Sequence, residues 1–195
     1  MEYIFQMIYL CTMTKKDSIV LAALQLLAER GVHNTPMSAV AKVAGSGMGT
    51  IYNYFPTKEV LINDIYVFIK QRELSMFAPF ELDMAVKIQF EQYFKSIITF
   101  FRENTAYFKF MEQLQASPII TEESKNSGLT AVKSVYDLIE KGKLDGIIKE
   151  IDTAELIQFV GGAVLSFLRN HANNTMMTEN LINNHIKMTW DGIKA

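Results

Sequence analysis

Side chains that could hold phosphate groups lie close together in residues 48–58. Tyr52 and Tyr54 supply hydroxyl groups, Asn53 supplies an amide, and Lys58 supplies an ammonium group. Hydroxyl, amide and ammonium groups all donate hydrogen bonds to phosphate oxygens. The chemistry that this segment could do is therefore the binding of a phosphate backbone.

Two short helices joined by a glycine-rich turn would position these side chains. Thr35 is a good N-cap for the first helix, and the turn at residues 45–47 ends it because glycine adopts left-handed conformations without steric cost. In the second helix Ile51 and Phe55 face inward, one turn apart, and Pro56 ends the helix. This pattern predicts a helix-turn-helix, whose second helix lies in a DNA major groove.

Helical geometry directs Gly49, Thr50 and Asn53 away from the inward face. Met48, at the start of the same helix, could contact the methyl group of thymine. The segment contains neither Arg nor Gln for bidentate contacts to bases. Specificity is therefore expected to depend on DNA shape and apolar contacts.

These residues resemble a known family. Residues 44–61 read Ala-Gly-x-x-x-Gly-Thr-Ile-Tyr-x-Tyr-Phe-x-x-Lys-Glu-x-Leu, and residues 19–31 read Ile-x-x-Ala-Ala-x-x-Leu-Leu-x-x-x-Gly. Both are similar to the DNA-binding domain of TetR-type (TetR/AcrR) transcriptional regulators. The resemblance implies an all-α, homodimeric, cytoplasmic repressor with about nine helices. Residues 13–57 would be the three-helix DNA-binding domain and residues 58–195 the effector-binding and dimerisation domain.

The resemblance also implies which residues contact double-stranded operator DNA. Met48, Gly49 and Tyr52 would touch bases, whereas Thr50, Asn53, Tyr54 and Lys58 would hold phosphates. The full predicted set is Thr35, Ser38, Lys42, Gly47, Met48, Gly49, Thr50, Tyr52, Asn53, Tyr54 and Lys58.

Patterns typical of catalysis or of cofactor binding are absent from the sequence. It contains no GxSxG, no HExxH and no lysine-containing phosphate loop, and its three histidines are scattered. The glycines at 45, 47 and 49 do not make a dinucleotide loop, because Thr50 stands where the third glycine is needed and no strand precedes them. We therefore expect no enzymatic activity, no metal site and no cofactor.

Composition places the chain among globular proteins, with 49% apolar and 21% charged residues in 195. The net charge is −2, but residues 13–60 carry +2 and the remainder −4, which is the sign expected for a DNA-facing segment. The single cysteine, Cys11, fits a reducing compartment. The apolar residues 1–12 are either an extra N-terminal segment or a translation-start artefact.

Aromatic residues are concentrated between Phe90 and Leu114. Such stripes are usually core, but the family resemblance implies an effector cavity among the middle helices. We expect a small apolar or amphipathic effector, bound by some of Phe94, Phe101, Tyr107, Phe108 and Met111.

The last two predicted helices, at about 153–173 and 178–193, carry apolar stripes that mix small and large residues. The resemblance implies that these helices form the dimer interface, although burial in the same chain would explain part of the pattern. The predicted interface residues are Phe159, Ala163, Phe167, Leu181, His185 and Met188.

The sequence also allows a protein of another functional class. The modest positive charge and the glycine-rich second helix would also suit a helical small-molecule-binding or scaffold protein that has lost DNA binding. The salt dependence of DNA binding separates the two, because phosphate contacts give a steep dependence of affinity on salt.

Overall fold

The computed structural model describes residues 14–77, 79–114, 117–171 and 178–195. Within these ranges the chain forms ten α-helices and a single isolated antiparallel bridge, between Ile148 and Lys194. The elements are α1 (Lys15–Arg30), α2 (Met37–Val43), α3 (Met48–Tyr54), α4 (Lys58–Met76), α5 (Val86–Glu103), α6 (Thr105–Leu114), α7 (Glu122–Leu129), a 3-10 turn (Thr130–Val132), α8 (Lys133–Leu144), α9 (Thr153–His171) and α10 (Glu179–Ile193). The all-α prediction is confirmed. The predictions for residues 1–12, Cys11 included, lie outside the described residues.

The segment following residue 121 differs from its prediction. The sequence predicts one helix over about 122–141, whereas the structure has α7 and α8 separated by the 3-10 turn. Gly128 and the β-branched Thr130 and Val132 have low helix propensity, which places the interruption there.

The described residues fall into two compact units. Of the described residues, the head contains 14–68, 109–114 and 117–124, and the body contains 69–77, 79–108, 125–171 and 178–195. Helices α4 and α6 therefore contribute to both units. The predicted division between residues 57 and 58 concerns which segment binds DNA and which binds effector, and it stays a prediction.

Helices α1, α2 and α3 pack in sequence around the apolar interior of the head. A capping box begins α1: Asp17 N donates to Thr14 Oγ1 at 3.1 Å, and Thr14 N donates to Asp17 Oδ2 at 3.0 Å. The fully buried apolar side chains of the head include Ile19, Ala23, Ile51, Phe55, Leu61, Ile65 and Phe110.

The interior of the body is built around α5, which packs against α8, α9 and α10. The rings of Phe90 and Trp190 lie 5.3 Å apart between centroids. The buried Gln89 amide holds the segment before α5, because its Nε2 donates to Glu81 O at 2.7 Å and its Oε1 accepts from Glu81 N at 2.8 Å. The first turn of α5 is thereby fixed.

Candidate nucleic-acid interface

Helix α3 is held from behind by two fully buried side chains, Ile51 and Phe55. Gly45, in the turn before it, has φ +55°, a conformation that only glycine adopts without cost. Lys15 Nζ donates to Ala44 O and to Gly45 O, at 3.3 Å each, and so fastens the start of α1 to this turn. The predicted inward face and the predicted turn are both present.

A long-range contact that the sequence does not reveal fixes the segment before α2. Val32 N donates to Gln113 Oε1 at 2.8 Å, and Gln113 Nε2 donates to Leu27 O at 3.1 Å. One amide from α6 therefore satisfies a donor and an acceptor at the end of α1. No local pattern identifies Gln113, because its partners lie more than 80 positions away in the chain.

Thr35 is not the N-cap of α2 that the sequence predicts. Its side chain is 0% exposed, and its hydroxyl donates to Gly31 O at 3.0 Å. Pro36 occupies the N-cap position of α2, where no side chain caps the helix. The prediction of Thr35 as an N-cap and a DNA contact is wrong, because the hydroxyl is used inside the head.

The other predicted DNA-binding residues lie on α2, on α3 and in the turn between them, except Lys58, which begins α4. Two of them, Thr50 and Lys58, are half-buried. The rest are exposed: Ser38, Lys42, Gly47, Met48, Gly49, Tyr52, Asn53 and Tyr54. Apart from Thr35, the helix pair thus presents the predicted set to solvent.

The charges of the head are distributed unevenly around this surface. Lys16 pairs with Asp64 and lies over the ring of Phe55, so its charge is used within the head. The side chain of Lys42 is exposed and has no hydrogen-bond or ionic partner among the described residues. At the start of α4, hydrogen bonds from its own backbone N–H and from the Thr57 hydroxyl lower the pKa of Glu59. Within α2 and α3, Lys42 is therefore the cation available to an external anion.

The glycines flanking Met48 are not required by the chain's own packing. A Cβ atom added to Gly47 or Gly49 would meet no other atom within 4 Å, and neither has a positive φ. Glycine inside a helix costs about 0.5–1 kcal/mol relative to alanine. The missing side chains leave the start of α3 open to close approach from outside.

Sequences and structures of known proteins share this arrangement. Residues 67–195 match the family model of the tetracyclin repressor-like C-terminal domain, and residues 19–65 match that of bacterial regulatory proteins of the tetR family. The chain belongs to the TetR family. As a TetR-family member it is a helix-turn-helix transcriptional regulator that binds DNA and responds to a ligand.

Individual relatives of this TetR-family chain are distant. The HTH-type transcriptional regulator UidR of Escherichia coli (strain K12) is 26% identical over 147 residues, which are 73% of this chain and 75% of that protein. A putative tetR family transcription regulator from Shewanella sp. PV-4 has the same fold, with a TM-score of 0.84, 22% identity and coverage of 94% of this chain and 100% of that one. A putative TetR family regulator from Vibrio parahaemolyticus gives a TM-score of 0.76 at 26% identity, over 93% of this chain and 99% of that one.

The residues predicted to bind an effector are divided between the two units. Phe94, Phe101 and Phe108 are buried in the body, Tyr107 is half-buried there, and Met111 belongs to the head. The rings of Phe101 and Phe108 lie 5.9 Å apart. Burial raises the pKa of Tyr107, and the positive charge of Arg72 opposes the shift.

Sequence reasoning missed a buried acidic group in the body. Glu73 is almost completely buried; its Oε2 accepts a hydrogen bond from Lys70 Nζ at 2.7 Å, and its Oε1 has no partner among the described residues. Burial raises the pKa of Glu73, and the charge of Lys70 acts in the opposite direction. The three-residue spacing of Lys70 and Glu73 was the available signal, but it gives no indication of burial.

The predicted dimer residues lie on α9 and α10, with one exception to their expected exposure. Phe159 and Met188 are exposed, whereas Phe167 is only 1% exposed and contacts His171 and His185 at ring distances of 4.9 and 4.7 Å. Phe167 is therefore a core residue, and its assignment to an interface is wrong. Of the other predicted positions, Ala163, Leu181 and His185 are half-buried.

Membrane-spanning helices and metal-binding clusters are both absent from the described ranges. None of the described helices is long and apolar enough to cross a membrane. In the same ranges, no three His, Cys, Asp or Glu side chains form a group that could hold a metal ion.

Proposed function

We propose that this chain is a homodimeric repressor that binds operator DNA through α2 and α3 and leaves it when a small apolar or amphipathic effector binds the body. The observation that carries the proposal is the state of α3, whose inner face is fully buried while its outer face presents uncharged polar, apolar and glycine residues to solvent. The similarity to relatives such as UidR, an HTH-type transcriptional regulator, supports it.

On DNA, the exposed residues divide by chemistry. Tyr54, Asn53 and Lys42 suit phosphate oxygens, because hydroxyl, amide and ammonium groups donate to them. Met48 and Tyr52 suit base edges in the major groove. Two such helices in a dimer would enter successive major grooves about 34 Å apart.

Dimerisation is proposed to use the outer face of α9 together with α10. Phe159 and Met188 supply exposed apolar area, and a Cβ atom at Gly161 or Gly162 would meet nothing within 4 Å. Helices that lack side chains at such positions can approach one another closely. Sedimentation equilibrium tests this: we expect a dimer at micromolar concentration, and a monomer would contradict the proposal.

Binding of the effector and binding of DNA are thermodynamically linked, so that the effector releases the protein from its operator. An effector that binds more tightly to the form with unsuitable helix spacing lowers DNA affinity by that preference, typically about 1–3 kcal/mol. Helix α4 contributes residues to both units and is the segment that we expect to transmit the change. Thermal-shift screening against a broad lipophilic library tests the effector class, and no response from any compound would count against it.

DNA binding is tested on duplexes selected by the full-length protein from a random library. Tyr52→Ala should weaken binding about tenfold to a hundredfold, in line with the loss of a good base contact. Tyr136→Ala is the matched control, because Tyr136 in α8 is 48% exposed and Tyr52 is 47% exposed. Equal affinity of the two variants would contradict the assignment of α3.

The salt dependence of binding provides a second readout. Each phosphate contact contributes a slope of about −0.9 to the plot of log affinity against log salt. Lys42→Ala should therefore reduce the steepness by about one. Lys133→Ala, which removes an exposed body lysine, should leave the slope unchanged.

A further inference from the structure

We infer that α3 reads A·T base pairs, and that Met48 and Tyr52 recognise them through the methyl group of thymine. This inference rests on the proposed function, since it specifies which DNA sequences the same surface selects. It goes further by committing to one class of base pair.

The available side chains exclude the usual contacts to G·C pairs. Guanine is read by the bidentate hydrogen bonds of Arg or Lys to O6 and N7, and the cytosine amino group is read by Asp or Glu. Residues 43–57, which include all of α3, contain no charged side chain. The flanking cations lie outside α3: Lys42 is in the last turn of α2, and Lys58 begins α4. Each is a compact point charge, which suits a phosphate better than bidentate recognition of a base.

Apolar groups occupy the position where a base-reading side chain would stand. Met48, the first residue of α3, is exposed although its side chain is apolar. Tyr52 lies one helical turn further on and is exposed as well. In the major groove, the thymine methyl is the apolar feature of the base edges, so these side chains match it.

The two glycines that flank Met48 give it access to the groove. Neither Gly47 nor Gly49 has a side chain, and no packing neighbour lies within 4 Å of where a Cβ would stand. The backbone of this turn can therefore approach the base edges closely. The flexible thioether of Met48, which is exposed between these glycines, can then adapt to a methyl group.

The test begins by selecting sites from a random 20-base-pair duplex library with the full-length protein. We expect A·T pairs at the base pairs nearest the centre of each half-site. Single thymines of the selected site are then replaced by deoxyuridine, which lacks only the methyl group. Each contacted thymine should lose about threefold to fourfold in affinity, the preference of one CH₂-sized group for burial.

Variants of Met48 separate this inference from a general loss of binding. Met48→Ala should remove most of the difference between thymine and deoxyuridine, whereas Met48→Leu should retain it. Enrichment of G·C at the central positions, or equal binding of thymine and deoxyuridine sites, would overturn the inference while leaving DNA binding intact. Failure to enrich any site, together with DNA affinity that does not depend on salt, would overturn the proposed function itself.

Discussion

Gly49 in α3 and Gly142 in α8 are both helical glycines, yet the structure gives opposite reasons for them. A Cβ atom on Gly142 would lie 2.5 Å from Ile148 Cδ1 and 3.1 Å from Val86 Cγ1, so the body's own packing excludes it. A Cβ atom on Gly49 would meet nothing within 4 Å. The glycine of the body is required by the chain's interior, whereas the packing of the head gives no reason for its glycine.

The two glycines differ in whether the fold itself requires them. Gly142 is a position where any larger residue disturbs a close-packed core. At Gly49 the fold itself would tolerate alanine, and helix propensity would favour it. Substitutions at the two sites should therefore change different measurable quantities.

The largest expected effect on stability is that of Gly142→Ala. Because Ile148 is buried and would have to move, the free energy of unfolding should fall by about 1–3 kcal/mol, as is typical of overpacking. Chemical denaturation measures this, with Gly49→Ala as the control that should lose no stability. Equal destabilisation by both variants would break the comparison.

Gly162 extends the comparison to the outer face of α9, where a Cβ atom would again meet nothing within 4 Å. Gly162→Leu should leave the fold intact but raise the dimer dissociation constant about tenfold or more, since the added side chain would keep the partner helix away. Ala154→Leu, at another exposed position of α9, is the matched control. Sedimentation velocity at a series of concentrations measures both, and an unchanged dimer in Gly162→Leu would remove this face from the interface.

The smallest expected effect concerns pH and is confined to the body. Burial, and then the charge of His171, lower the pKa of His185 below 6.5. The unfolded chain therefore binds a proton at a higher pH than the folded one, so part of the stability is lost as pH falls below about 6.5. Between pH 7 and pH 5.5, the free energy of unfolding of His185→Gln, measured with denaturant, should fall less than that of the wild type. Identical declines would show that His185 does not contribute.

Local patterns predicted much of the head correctly. The glycine turn and the burial of Ile51 and Phe55 follow from spacing alone, and the structure has both. The error at Thr35 arose from a competition that the sequence does not resolve: its hydroxyl could cap α2 or bond to the end of α1, and Pro36 took the cap position.

Burial in the body and the hydrogen bonds that join distant segments could not be predicted, because they depend on long-range contacts. Phe167 lies on an apolar stripe that would suit either a partner chain or the chain's own core. Its burial follows from the packing of α9 against α5, α8 and α10, which the sequence does not show. Asn63 Nδ2 donates to Ile119 O at 2.9 Å, and Asn63 Oδ1 accepts from Thr121 N at 2.9 Å, across more than 50 residues. Periodicity gives no information about partners at that separation.

The most direct test of the claim that α3 contacts duplex DNA is to measure two properties of Gly49→Ala. Its free energy of unfolding should equal or exceed that of the wild type by up to about 1 kcal/mol, because alanine favours helix. Its affinity for the selected DNA site should fall at least tenfold, since the new methyl group would occupy space that the DNA needs. An unchanged affinity in the folded variant would contradict the account.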